Sequence, residues 1–137
     1  MPSTALVDAG IIVAALSRAD RHHEIALSLL GGFAGTLVTT WPVVAEACAL
    51  VGARRQGLVL DWLDNPEVRI CSIDEGLAFM RAQMDDYADL PCDFADASLI
   101  YAAVQTGVRE IWSLDSDFLV YRLPDRGRFK VIPGGGA

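Results

Sequence analysis

The sequence predicts an α/β protein, a three-layer α/β/α sandwich around a mostly parallel sheet. Two observations carry that expectation. Short β-branched runs alternate with helix-length segments along the chain, the pattern of strands joined by helical crossovers. Hydrophobic residues make up 53% of the chain against 21% charged, enough for buried strands and too apolar for a disordered tail. With 137 residues, one domain over 1–133 is expected, followed by a glycine-rich flexible tail, 134–137.

Each element has its own signal. The run 4–7 is short, apolar and β-branched, and ends at Asp8-Ala9-Gly10. It reads as a buried strand turning into a helix over 11–17. Asp20 is placed to cap a helix over 22–30, with Gly31-Gly32 at its end. A second strand covers 36–39, and Thr40-Trp41-Pro42 opens a helix to about 51. A fourth helix covers 56–63, stopped before Asn65-Pro66, and a third strand covers 68–72. An amphipathic helix over 74–87 offers Leu77, Ala78, Met80 and Met84 as its apolar side. The helix entered at Pro91 runs to Gly107, which supplies the stop. A fourth strand, 110–114, ends in Asp115-Ser116-Asp117-Phe118, and 129–132 is an edge strand.

The totals restrict function. A net charge of −7 argues against a protein that coats nucleic acid by charge alone. It is compatible with an enzyme that holds a phosphodiester through metal ions. Cys48, Cys71 and Cys92 are scattered, without a CxxC pair, and read as small core residues in a reducing compartment. No apolar run is long enough to cross a bilayer, and M-P-S-T lacks the start of a signal peptide. A cytoplasmic protein without a membrane role is the expectation.

The acids are unevenly placed. In a parallel sheet, ligands gather beyond the carboxyl ends of the strands. Asp8 closes the first strand and Asp115 the fourth. Glu46 lies just over a turn into the helix after the second, among Val43, Val44, Ala45, Ala47 and Cys48. In L-P-C-D-F-A-D-A-S-L, 90–99, Asp93 and Asp96 fall in one helical first turn, three apart and on one face. Asp93 suits a cap, whereas Asp96 is surrounded by core-type residues, where an unpartnered carboxylate is costly.

Singly, Asp8 reads as a cap, Asp115 as a turn residue and Glu46 as a surface position. Together they converge on one sheet edge. Two carboxylates about 4 Å apart repel by roughly 4 kcal/mol at an effective dielectric near 20. The reliefs are a raised pKa, a basic partner or a metal. Lys130 is the only lysine and lies on the last strand. All-oxygen ligation favours Mg²⁺ or Mn²⁺, and the chemistry this suggests is phosphodiester hydrolysis.

These residues meet a family. The chain resembles PIN-domain ribonucleases, and most closely the VapC-type toxins of bacterial toxin–antitoxin pairs. The matching pieces are L-V-D-A-G at 6–10, P-V-V-A-E-A at 42–47, the 90–99 stretch, and S-L-D-S-D-F at 113–118. They come in the family's order and span nearly the whole chain. The resemblance implies that Asp8, Glu46, Asp96 and Asp115 are the catalytic, metal-binding quartet, with Asp93 and Asp117 as auxiliary acids. It also implies Mg²⁺-dependent endoribonuclease activity, a homodimer and a small antitoxin partner. Asp115 is preferred over Asp117 as the closer ligand because it ends the strand, while Asp117 can cap the next turn. Ser113 or Ser116 is placed to orient a water.

Other residues have plainer readings. His22 and His23, beside Arg21 at a helix start, read as solvated surface. Arg54 and Arg55 are candidates for contact with an RNA backbone, although a helix C-terminus attracts cations anyway. Arg122, Arg126 and Arg128 stand in the same position. Trp41, Trp62 and Trp112 read as core or interface, with base stacking open only to one left exposed. Trp62, beside Leu58 and Leu63, marks a partner groove. A haloacid-dehalogenase-like phosphatase would need a second Asp where Gly10 stands, and a lysine near the phosphate; a receiver domain fails on the same lysine. A non-catalytic PIN-like module that binds a cation or partner stays open, as does an RNA-maturation or flap-type PIN nuclease.

Overall fold

The computed structural model of the chain describes residues 3–133. Five strands form one sheet: β1 (Ser3–Val7), β2 (Gly35–Thr39), β3 (Val68–Ile70), β4 (Glu110–Trp112) and β5 (Lys130–Ile132). Their order is β3-β2-β1-β4-β5, with every pairing parallel. Among the described residues the six α-helices are α1 (Ala9–Leu16), α2 (His23–Gly32), α3 (Trp41–Val51), α4 (Gln56–Leu63), α5 (Leu77–Asp86) and α6 (Phe94–Thr106). Right-handed crossovers put α1 to α4 on one face and α5 and α6 on the other. The contacts follow that division, α1 packing on α2, α3 and α4, and α5 on α6. The three-layer α/β/α architecture is the one the sequence predicts.

The strand order reverses at β1, which runs between β2 and β4. That makes the carboxyl end of β1 and β4 the topological switch point, where open parallel sheets leave a crevice. The core beneath it is apolar, with Ala5, Leu6, Val7, Ile11, Ile12, Leu99, Ile100 and Ile111 fully buried. Beyond the carboxyl end, α3 also reaches α6. There the buried hydroxyls of Thr40 and Ser98 share a hydrogen bond of 2.6 Å.

Several boundaries differ from the expected ones. Strand β4 stops at Trp112, so Asp115 does not close it but lies three residues beyond, capping a 3₁₀ turn over Ser116–Leu119. Strand β3 stops at Ile70. Gly31 and Gly32 form the last two residues of α2, with Phe33 as the cap residue beyond; the Phe33 ring packs edge-on against Trp112, centroids 4.7 Å apart. Asp20 accepts the N–H of His22, and His22 itself occupies the cap position.

The segment at 74 enters α5 through a 3₁₀ turn, Asp74–Gly76. Gly76 lies so close to the Tyr101 ring that a Cβ would come within 2.7 Å. The helix that follows buries Met80 and leaves Leu77 66% exposed and Ala78 exposed. Its apolar side is therefore Phe79, Met80 and Met84, not Leu77 and Ala78. The expected tail, 134–137, lies outside the described residues.

Candidate active site

A cleft of about 300 Å³ opens at the switch point, lined by Asp8, Glu46, Asp93, Asp96 and Asp115 together with Leu50 and Leu114. Five carboxylates from four chain segments meet there, and among the described residues no basic side chain lines it. Of the acids expected from the sequence, only Asp117 is not among the lining residues.

Local structure explains why each acid is held where it is. Asp8 caps α1: its Oδ1 accepts the N–H of Ala9 at 2.8 Å, and its Oδ2 accepts the hydroxyl of Ser113 at 2.8 Å. It is 7% exposed. Burial pushes its pKa up to about 6, against the pull of the Ser113 and Ala9 donors and with Asp115 and Asp93 adding repulsion.

Asp93 and Asp96 form a capping box at the start of α6. Asp93 Oδ1 accepts the N–H of Asp96 at 2.9 Å, and Asp96 Oδ2 accepts that of Asp93 at 3.3 Å. Asp93 is therefore the cap itself and Asp96 the third residue of the helix. The same Oδ2 takes the hydroxyl of the buried Tyr121 at 3.3 Å. Asp96 is 8% exposed, and its pKa is raised, first by burial and then by Asp93.

Glu46 is half-buried on α3. Its pKa is raised by burial and then by Asp8, Asp93 and Asp115. Asp115 Oδ1 accepts the N–H of Asp117 at 2.9 Å, and the Asp115 N–H donates to Ser113 Oγ at 3.0 Å. Asp117 thus supports the turn that presents Asp115. Its carboxyl is raised by desolvation and by Asp115.

The shared direction of these shifts has one cause, negative charge gathered in a partly dry cleft. Among the described residues, no three His, Cys, Asp or Glu side chains form a closed set able to hold a metal ion as they stand. Asp8, Asp96 and Asp115 are instead each turned toward nearby N–H and O–H donors. The donor set itself suits a hard divalent cation, being all oxygen and without a competing base.

Sequence reasoning found the acids and missed what steadies them. Ser113 was singled out only for a water, and it bonds Asp8 directly. Tyr121 was not singled out at all, since its partner lies 25 residues away. Ser116 is exposed. The histidines are half-buried: His23 Nδ1 lies 2.8 Å from the carbonyl of Ala14, and His22, its side chain 32% exposed, faces Asp20. Trp112 is core and Trp41 is 58% exposed. Trp62 lines a separate apolar groove of about 460 Å³ with Leu16, Leu27, Leu30 and Phe33. Cys92 is buried beside Asp96, its thiol pushed up to about 12 by burial and that charge. Among the described residues no helix is long and apolar enough to cross a membrane.

Comparison with known proteins agrees with the fold. No curated protein sequence matches the chain. A crystal structure of VapC20 from Mycobacterium tuberculosis, described as a Sarcin-Ricin loop cleaving toxin, superposes with a TM-score of 0.70. It is 18% identical, and the match covers 82% of this chain and 91% of that one. At that identity the likeness speaks for the fold alone. The PIN-domain family model matches residues 5–123, from the middle of β1 to the segment just beyond Tyr121, and so takes in every acid of the cleft. The chain belongs to the PIN-domain family.

Proposed function

We propose that the protein is a divalent-metal-dependent endoribonuclease, the toxin of a type II toxin–antitoxin pair. One observation carries the reading: five carboxylates brought by four chain segments into one cleft, with no basic residue lining it among the described residues. An arrangement so costly in repulsion makes sense as a cation site. Asp8, Glu46, Asp96 and Asp115 would hold Mg²⁺ or Mn²⁺, with Asp93 and Asp117 in support. The bound cation supplies charge against the phosphodiester and acidifies water, so that hydrolysis needs no histidine base. The chain's own residues do the positioning. Ser113 and the Ala9 N–H hold Asp8; the capping box and Tyr121 hold Asp96 by Oδ2; the Asp117 N–H holds Asp115 by Oδ1. Glu46, reaching in from α3, has the most freedom to adjust.

The rest of the assignment follows the family likeness. The substrate is RNA, and the Sarcin-Ricin loop in VapC20's description is a substrate to test. We place a small antitoxin in the Trp62 groove and a homodimer in a cytoplasmic setting, and we treat 1–133 as one domain. The experiment is cleavage of a mixed cellular RNA pool by the purified, partner-free protein, with Mg²⁺, with Mn²⁺ and with chelator, alongside Asp96→Asn and a single-stranded DNA control. Discrete RNA fragments that need metal and vanish in the variant are expected. Absence of cleavage, with metal still raising the melting temperature, would leave a cation-binding module instead.

A further inference from the structure

A second feature lies one helix length from the acidic cleft. Arg18 and Arg55 line a hollow of about 410 Å³ with Leu16, Ala19 and Leu58. The two arginines come from distant parts of the chain, Arg18 just past α1 and Arg55 at the end of the 3₁₀ turn after α3. Both are exposed, and neither appears in an ion pair among the described residues. Four other basic groups are engaged, Arg81 with Asp85, Arg109 with Asp125, Lys130 with Glu110, and Arg122 with the carbonyls of Leu119, Val120 and Tyr121. Arg21, Arg54, Arg69, Arg126 and Arg128 are in no ion pair among the described residues, but none of them lines this hollow. A helix C-terminus attracts one cation, and its partial charge falls off within a turn. That explains each arginine alone, but not two guanidinium groups facing one hollow.

Two elements tie the hollow to the cleft. Helix α1 lines the cleft with Ala9 and Gly10 and the hollow with Leu16, a rise of roughly 10 Å at 1.5 Å per residue. The end of α3 and the 3₁₀ turn after it do the same, with Leu50 in the cleft and Arg55 in the hollow. A polyanion approaching a chain of net charge −7 and a cleft of carboxylates must be held somewhere by cations. Guanidinium forks match phosphate oxygens, and Leu16 and Leu58 give an apolar floor against which a base or ribose can rest.

We propose that the Arg18–Arg55 hollow holds the phosphate backbone of single-stranded RNA beside the cleft, outside the hydrolytic site. The inference rests on the nuclease reading, and the test separates the two. A fluorescent single-stranded RNA is titrated with the protein in chelator across a series of salt concentrations, and Mn²⁺ binding is measured separately. For Arg18→Gln/Arg55→Gln, the slope of log affinity against log salt should become shallower by about 1.4, or about 0.7 per lost phosphate contact. Affinity near 0.1 M salt should fall roughly ten-fold, with Mn²⁺ binding and melting temperature unchanged. The control Arg81→Gln/Lys130→Gln makes the same change in net charge and should keep the wild-type slope.

An unchanged slope in the arginine variant overturns the proposal and leaves the nuclease reading intact. So does an equal change in the control, which would mean a charge effect of the whole molecule. Weakened binding to a polyglutamate peptide with RNA binding unaltered overturns it in favour of an acidic protein partner. If the wild type binds RNA with the predicted arginine dependence yet cleaves nothing with Mg²⁺ or Mn²⁺, the hollow stands and the nuclease reading falls.

Discussion

Asp96 is the residue on which the site turns, because its two oxygens have different surroundings. Its Oδ2 is engaged by the Asp93 N–H and the Tyr121 hydroxyl, each at 3.3 Å. Tyr121 reaches it from beyond the 3₁₀ turn after β4, wedged edge-on between Tyr87 and Phe118 at centroid distances of 5.0 and 5.1 Å. Tyr121→Phe keeps that packing and deletes one hydroxyl. Partners of metal ligands are typically worth 10–100-fold in metal affinity, so Mn²⁺ affinity by calorimetry should fall about ten-fold. The metal-free protein should change by only about 1 kcal/mol. Unaltered Mn²⁺ affinity would make Tyr121 a core residue with an incidental hydroxyl. Asp96→Asn tests the acid itself. An amide still accepts from Asp93 and Tyr121 while relieving repulsion, so the metal-free melting temperature should stay level or rise as activity disappears. A clear drop would mean that Asp96 is a structural acid.

At the scale of elements, the sequence was legible wherever a local rule decided the outcome. Pro42 in the first turn of α3, Gly107 after α6 and the β-branched run of β1 each sit where a single short-range preference is sufficient. Gly107 has φ 74°, the left-handed conformation that ends a helix, and its N–H closes on the Ala103 carbonyl. Gly107→Ala should cost about 1 kcal/mol in thermal or denaturant unfolding without touching Mn²⁺ binding, since a Cβ there meets nothing within 4 Å. Legibility failed where contacts at long range took over. The apolar side of α5 was misjudged because Gly76 lies against Tyr101, which no pattern around 76 reveals. Asp115 is expected to close a strand over 110–114, but the strand ends at Trp112, and the Ser113 hydroxyl beyond it is shared between Asp8 and the Asp115 N–H. The same distance effect hid Tyr121. The acids themselves were visible because charge among apolar neighbours is a local anomaly; what holds them was not.

At the scale of the whole molecule, the cleft makes stability depend on pH in the reverse of the usual acidic sense. A carboxyl whose folded pKa lies above its unfolded value binds its proton more tightly when folded, so its contribution is full at low pH and is lost as pH rises. Asp8 moves from 3.8 to about 6, and its contribution therefore fades between those values. Two pKa units correspond to about 3 kcal/mol, an upper bound at a site that opens to solvent. Asp96 is raised further, to about 8, and carries the loss to higher pH; Glu46 and Asp117 shift in the same direction. Asp125 opposes them, lowered by its pairing with Arg109, but that pair lies at the exposed surface, where ion pairs contribute little. The metal-free protein should therefore melt several degrees higher at pH 5.5 than at pH 8, measured by scanning calorimetry in chelator. Mg²⁺ or Mn²⁺ competes with those protons, so the stabilisation it gives by mass action should grow with pH and flatten or invert the profile. A metal-free melting temperature that falls on acidification from pH 8 to 6 would mean that the acids are not crowded as the geometry requires. A metal effect independent of pH would mean that the cation binds elsewhere.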